Sequence, residues 1–299
     1  MTEGSVDSAE TNTVGPPTAD IEDAFRDIGI PPRPAILQQL AGEMRKPDPD
    51  FNHMAQLISR DVSLSAGLIK TVNSPYFGLK QKVRTVREAL MMQGLTSATR
   101  TIAGLALRQV FPPGPHLERF WDAADHTAQL SGWLVHALGV KYGIQNEDAY
   151  TYALFRDCGI PILLRRFPDY KQTLAIANTT TDVAFTDAEE ARLPTNHAIV
   201  GSMMTQSWWL PEMTSSAVRH HHDAKTISLD LPMLSNPSKR LIALAQLAEF
   251  MFQQASGLNQ TAEWSKLGAS CLDLLGLEEQ DLPPLQLRAA AFLDSVETL

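Results

Sequence analysis

Leu64-Ser65-Ala66-Gly67-Leu68-Ile69-Lys70-Thr71-Val72-Asn73-Ser74-Pro75-Tyr76-Phe77-Gly78 is the stretch from which the fold can be read. Leu64, Leu68, Ile69 and Val72 recur at helical spacing, so a helix beginning near Asp61 presents one apolar face. Asn73-Ser74-Pro75 stops it, because the residue before a proline is pushed out of the α region. Tyr76-Phe77-Gly78 then reads as an aromatic tight turn closing onto a helical core.

The same periodicity extends in both directions. Upstream, after Ile30-Pro31-Pro32, residues Ile36, Leu37, Leu40 and Met44 mark one helix that Pro47 and Pro49 end, and Phe51, Met54, Leu57 and Ile58 mark another. Downstream, Thr85 with Glu88 is a capping-box pattern opening a helix with Ala89, Leu90 and Met92, and a further helix runs from about Ser97 to Val110. Phe111-Pro112-Pro113-Gly114-Pro115 is the strongest break and marks a subdomain boundary. Beyond it the spacing predicts helices over 117–138, over 147–167 with a kink or interruption at Pro161, and over 170–177, 186–192, 196–208, 211–222, 239–254 and 285–296. Period-2 alternation and Asn-Gly hairpin signals are missing. The expectation is an all-α protein in three parts: a mobile tail over 1–29, a helical part over 30–115, and a helical bundle with a C-terminal extension over 116–299.

A chain of 299 residues, 44% hydrophobic and 20% charged, can bury a large core. With 25 basic against 34 acidic residues the formal charge is −9, which argues against unaided binding to nucleic acid or an anionic membrane. Met1 to Asp20 has neither a basic start nor an apolar run, so it reads as neither signal peptide nor anchor. Cys158 and Cys271 lie far apart and outside any CxxC, which fits a reducing cytoplasm. Cys158 reads as a buried thiol in preference to a nucleophile. Trp208-Trp209 before Leu210-Pro211 reads as packing for a seam between helices.

Chemistry concentrates at Arg219-His220-His221-His222-Asp223, in a chain with only 8 histidines. Imidazole binds Zn, Fe and Ni, and a neighbouring carboxylate can ligate or orient a ligating ring. Three adjacent histidines cannot all face one point, so His221 and His222 are the expected pair and His220 the outlier. A solvated helix end, where the dipole favours imidazolium, is the other reading of the run.

The stretch quoted first resembles the N-terminal half of HDOD domains, in which a helix ends in an Asn-Ser-x-Tyr-Phe-Gly turn. The Thr-Val/Ile-x-x-Ala-Leu-x-x-x-Gly-Leu stretch that follows in that family is matched by Thr85, Val86, Ala89, Leu90, Gly94 and Leu95. The resemblance runs from about Ile30 to Asp223 and implies an N-terminal helical layer packed on an HD-like bundle. HDOD domains resemble HD-type metal phosphohydrolases, and the metal motif of those enzymes can be carried over residue by residue. His126, with Asp122 one turn earlier, falls on the first ligand helix. Arg156-Asp157 stands where the His-Asp pair would be, and Ile160 where a lysine follows it. His197, followed by Gly201, matches the His-x-x-x-Gly helix start, and His221-His222 the adjacent histidine pair. After Ala245, Gln246 replaces the distal aspartate.

The resemblance thus implies a remnant metal set of His126, Asp157, His197, His221 and His222, in a pocket with Asp122, Arg156 and Gln246. A cation at Arg156 would compete for Asp157, so the expected site is degenerate, holding no cofactor or at most a divalent ion of Fe, Mn, Ni or Zn. On spacing alone His126 also reads as a hydrogen-bonded core histidine, His197 as a cap neighbour and Asp157 as a charge partner of Arg156. The implied function is non-catalytic bacterial signalling through regulatory protein partners or a nucleotide ligand, without nucleic acid or membrane. The alternative is a metal-dependent phosphohydrolase acting on a nucleotide or cyclic dinucleotide.

Overall fold

The computed structural model describes residues 27–297, apart from 78, 80, 112–113, 140–142 and 229–233. The expected tail over 1–29 falls almost wholly outside these residues, as do Gly78 and Pro112-Pro113. Every regular element among the described residues is helical. An N-terminal array is formed by α1 (Ala35–Met44), α2 (Phe51–Ser59), α3 (Val62–Val72), α4 (Val86–Gln93) and α5 (Leu95–Gln109). There follow α6 (Pro115–Ala137), α7 (Asn146–Phe155), α8 (Gly159–Arg166), α9 (Tyr170–Thr179), α10 (Phe185–Glu190) and α11 (His197–Ser207). The chain continues with α12 (Glu212–His220), α13 (Ala224–Ile227), α14 (Asn236–Ser256), α15 (Glu263–Leu275) and α16 (Leu282–Glu297). Among the described residues no helix is long and apolar enough to cross a membrane.

Local chemistry starts and stops these helices where the sequence predicts. Asp50 accepts bonds from the Asn52 and His53 amides, and Asp61 from Leu64, satisfying donors that the first turn leaves free. Thr85 accepts from the Glu88 amide, but the Glu88 carboxylate returns to Arg84 and not to Thr85, so the box is displaced by one residue.

The turn after α3 is held by its own residues. Asn73 donates from Nδ2 to the Val83 carbonyl and accepts the Val83 amide on Oδ1, both at 2.8 Å, which pins the following loop as a neighbouring strand would. Tyr76 is buried, stacks on Tyr150 at 5.6 Å, and lies so close to Gly132 that a Cβ there would meet its ring at 2.1 Å. The aromatic turn therefore locks the N-terminal array onto α6 and α7. Asn73→Ala is expected to cost about 2–3 kcal/mol in urea unfolding, since it leaves two backbone groups of Val83 without partners. A loss below about 0.5 kcal/mol would show that water replaces the side chain.

Three elements differ from the expectation. The predicted helix over 147–167 is two helices, α7 and α8, and the break lies at residues 156–158, ahead of Pro161. Pro161 sits in the first turn of α8, where a missing N–H costs nothing. Helices α13 and α15 lie where the sequence predicts none. In the bundle α6 packs on α7 and α14, α14 on α15, and α11 on α12. Helix α14 is buried continuously from Leu241 to Ala248, as befits its central place.

Candidate metal centre

The break between α7 and α8 builds the site. It turns Arg156 and Asp157 inward, and α8 can leave at once because Gly159 rests directly on the backbone of α11. A Cβ at Gly159 would lie 2.0 Å from the His197 carbonyl oxygen and 2.9 Å from the Gly201 amide. Asn196 caps α11 by accepting the Ile199 amide at 2.8 Å, which fixes His197 as its first residue. His221 and His222 follow the end of α12, and Asp223 is spent capping α13.

Asp157, His197, His221 and His222 present ligand atoms that all lie within 4.8 Å of one another. His197 Nε2 and His221 Nε2 are 3.2 Å apart, and Asp157 Oδ1 lies 3.4 Å from the first and 3.3 Å from the second. Each ring is oriented from behind. His221 Nδ1 donates to the Val218 carbonyl at 2.8 Å, His197 Nδ1 to Glu189 at 2.8 Å, and His222 Nδ1 pairs with Glu263. Glu189 also accepts the His197 amide and the Tyr170 hydroxyl.

These bonds fix the tautomers. A carbonyl can only accept, so His221 carries its proton on Nδ1 and offers a lone pair at Nε2, directly beside an acceptor oxygen of Asp157. Two acceptors this close need a positive centre between them. The proton of His197 is one solution. Burial opposes charge on that ring, but Glu189 and the bond to Asp157 outweigh it and raise its pKa to about 10. Burial, helped by His222, draws His221 down to about 3, so it accepts from His197. A divalent ion is the other solution, displacing that proton. Donors about 2.0 Å from the centre of a tetrahedron stand about 3.3 Å apart, which the three separations match, and three imidazoles with one carboxylate suit Zn, Fe, Mn or Ni.

On its far side Asp157 is held by a cation. Arg156 donates from Nε and Nη2 to Asp157 Oδ2 at 3.0 and 2.9 Å, and from Nη2 to Glu249 Oε1 at 2.8 Å. Burial disfavours the guanidinium, yet Asp157 and Glu249 keep it charged and push its pKa up. Burial would likewise raise Asp157, but Arg156, His197 and His221 bring it well below the carboxylate range. Gln246, at the position where the resemblance implies an aspartate, donates to the other Glu249 oxygen at 3.1 Å. A cavity of about 330 Å³ reaches this group, lined by Arg119, Thr127, Arg156, Asp157, His222 and Glu249 among others.

His126 does not join the four. Helix α6 turns Ala123 and Thr127 toward Asp157, and His126 stands a step around it. Its ring stacks on Phe252 at 5.1 Å and Nδ1 donates to the Asp122 carbonyl at 2.7 Å, while the Asp122 side chain is exposed. His220 likewise lies outside the cluster, lining a different cavity. Cys158 is buried against the Gly201 carbonyl, and burial pushes its thiol pKa up. The sequence reading missed Glu189, Glu249 and Glu263. Of these only Glu249 had a usable signal, standing one helical turn after Gln246 on the same face.

An all-helical HD-like bundle with an N-terminal helical array, carrying a histidine and aspartate cluster at the break between two helices, defines the class. The family model for the HDOD domain matches residues 30–224, and the chain belongs to that family. A Treponema pallidum protein of uncharacterised function is 25% identical over 240 residues, covering 80% of this chain and 45% of its own length. The chain thus spans less than half of the curated relatives it matches. Among solved structures, an HDOD domain protein of unknown function from Geobacter sulfurreducens aligns with TM-score 0.62 and 18% identity, covering 94% of this chain and all of its own. A Shewanella amazonensis protein provisionally named a phosphohydrolase aligns with TM-score 0.64 and 17% identity over 93% of this chain and 98% of its own. A Marinobacter aquaeolei protein provisionally named for signal transduction aligns at 0.66 and 19%, over 96% of this chain and 62% of its own.

Proposed function

We propose that the chain is a non-hydrolytic HDOD regulator of bacterial signal transduction, acting in the cytoplasm by binding a protein partner or a nucleotide. The observation that carries this reading is the Arg156 clamp. A permanent guanidinium, buried and bonded to both Asp157 and Glu249, stands where the first histidine of an HD hydrolase would bring a cation. Phosphoester hydrolysis in such sites relies on metal to polarise phosphate and activate water, and the clamp takes one carboxylate oxygen out of that role. The name of the Marinobacter relative agrees with this reading.

The histidine cluster favours a second reading, a metal-dependent phosphohydrolase, which the name of the Shewanella relative also suggests. Elemental analysis of untagged protein, purified without chelator, combined with hydrolysis of bis(p-nitrophenyl) phosphate under added Mn, Fe, Ni or Zn separates the two. The regulator is expected to show no turnover above a His197→Ala, His221→Ala control, whether or not it retains an ion. Metal-dependent turnover lost in that control would establish the hydrolase.

A further inference from the structure

Away from the histidine cluster, a cavity of about 340 Å³ lies between α1 and α5 on one side and the end of α11 with the start of α12 on the other. Its walls are largely apolar, with Leu37, Met44, Ala103 and Leu210 among them, but three arginines border it, Arg33, Arg45 and Arg100. Arg33 lies over the Trp209 indole at 3.8 Å from its centroid, and Arg45 lies over the same ring at 4.9 Å. Neither of these two guanidinium groups has a carboxylate partner among the described residues. Arg33 spends Nη2 on the Leu37 carbonyl at 2.8 Å, while Nε and Nη1 are buried without a hydrogen-bond partner. Burial and the charge of Arg45 pull the pKa of Arg33 down to about 10. Ser215, also on the cavity wall and 1% exposed, has an unpartnered Oγ. The other cation on the wall, Arg100, is paired with Asp148, and the acid there, Glu212, accepts from Ser216.

Trp209 itself is anomalous. It stands just past the capping Trp208, the second residue after α11, at φ 60°, a conformation normally left to glycine, with its amide on the Gln206 carbonyl at 2.9 Å. It is 39% exposed, so core packing does not account for a bulky aromatic there. Trp208, its neighbour, does the packing and donates Nε1 to the Pro31 carbonyl at 3.1 Å.

Unsatisfied buried donors on a cation, a like charge beside it and an apolar chamber behind describe the complement of one ligand type. We propose that this cavity binds a small organic anion, its carboxylate or phosphate held by Arg33, Arg45 and Ser215 and its apolar body lodged against Met44, Leu210 and the Trp209 indole. The ligand bridges the N-terminal array and the bundle, and its binding is independent of whether the histidine cluster holds metal.

The test is calorimetric titration of the full chain with 2-naphthoate, adenosine monophosphate and decanoate, each compared with inorganic phosphate and with the uncharged 2-naphthalenemethanol. At least one organic anion is expected to bind with unit stoichiometry, at least tenfold tighter than phosphate or the alcohol. Preference for the nucleotide over decanoate, or the reverse, identifies the source of the acid. The Arg33→Gln, Arg45→Gln protein should bind at least tenfold more weakly, a loss of about 1.4 kcal/mol. Trp209→Gly, which suits the backbone, should weaken binding without lowering Tm, and His221→Ala should leave it unchanged. Failure of all three anions to bind, or binding that survives the double arginine substitution, overturns the proposal.

Discussion

An Arg156→Met protein in chelator is expected to be about 3–5 kcal/mol less stable than the parent, a fall of roughly 10 °C in Tm. Methionine matches the arginine stem in volume and removes only the guanidinium, which is buried between Asp157 Oδ2 and Glu249 Oε1. Two carboxylates are then left to face each other in the core, and an uncompensated buried charge costs far more than the pair contributed. The pH dependence has a definite sign. Asp157 has a folded pKa below its unfolded value of about 3.9, so its stabilisation is present above that pH and is lost as the solution is acidified. The deficit of the variant should therefore shrink below about pH 4. A divalent ion should act in the opposite sense to the substitution, since an ion held by Asp157 and the three imidazoles would give Asp157 back a positive partner once the guanidinium is gone. Addition of Mn or Zn is expected to restore at least half of the lost Tm in Arg156→Met, and to raise the parent less. A variant as stable as the parent in chelator would remove the clamp from the account of this site.

The helices of the N-terminal array were legible because each buries one face, and the apolar spacing in α1 to α5 reports that face directly. What periodicity does not report is which faces meet. His197, His221, His222 and Asp157 could be assembled only through resemblance, and the structure brings those four together. For His126 helical spacing does not decide which side of the helix it takes. Its helix was read correctly, but one step around α6 separates the side facing Asp157 from the side facing Phe252. The glutamates that orient the rings were beyond reach for a related reason. Glu189 belongs to the short helix α10, and Glu263 opens α15, whose Leu267, Cys271 and Leu274 do recur at helical spacing but do not say that the first residue of the helix meets His222. Their partnership with His197 and His222 is a tertiary fact. Pro161 does not set the interruption, because proline is tolerated in a first turn; the close approach at the break falls on Gly159, whose partner is a helix that arrives much later in the chain.

That glycine makes the sharpest prediction about the site. A Cβ at position 159 would meet backbone only, at 2.0 Å from the His197 oxygen, 2.8 Å from its carbonyl carbon and 2.9 Å from the Gly201 amide. No rotamer change relieves such a contact, so α8 and α11 must part. Overpacking costs about 1–3 kcal/mol where side chains can yield, and Gly159→Ala should reach or exceed the top of that range in urea unfolding. The geometry of the cluster should fail with it, because the 3.2 Å separation between His197 and His221 depends on where α11 begins. Whatever affinity the parent shows for Zn should accordingly drop at least tenfold in folded Gly159→Ala protein, about 1.4 kcal/mol. Gly201→Ala is the matched comparison. There the added Cβ meets Val218 Cγ1 at 3.1 Å and Cys158 Sγ at 3.3 Å, with the Gly159 amide also at 3.3 Å, so the tightest neighbours are side-chain atoms that can shift. Its cost should stay below about 1.5 kcal/mol, in line with a tolerated core adjustment. Equal costs for the two substitutions would mean that α8 does not rest on the His197 backbone, and that the two ligand-bearing segments are positioned by something other than this contact.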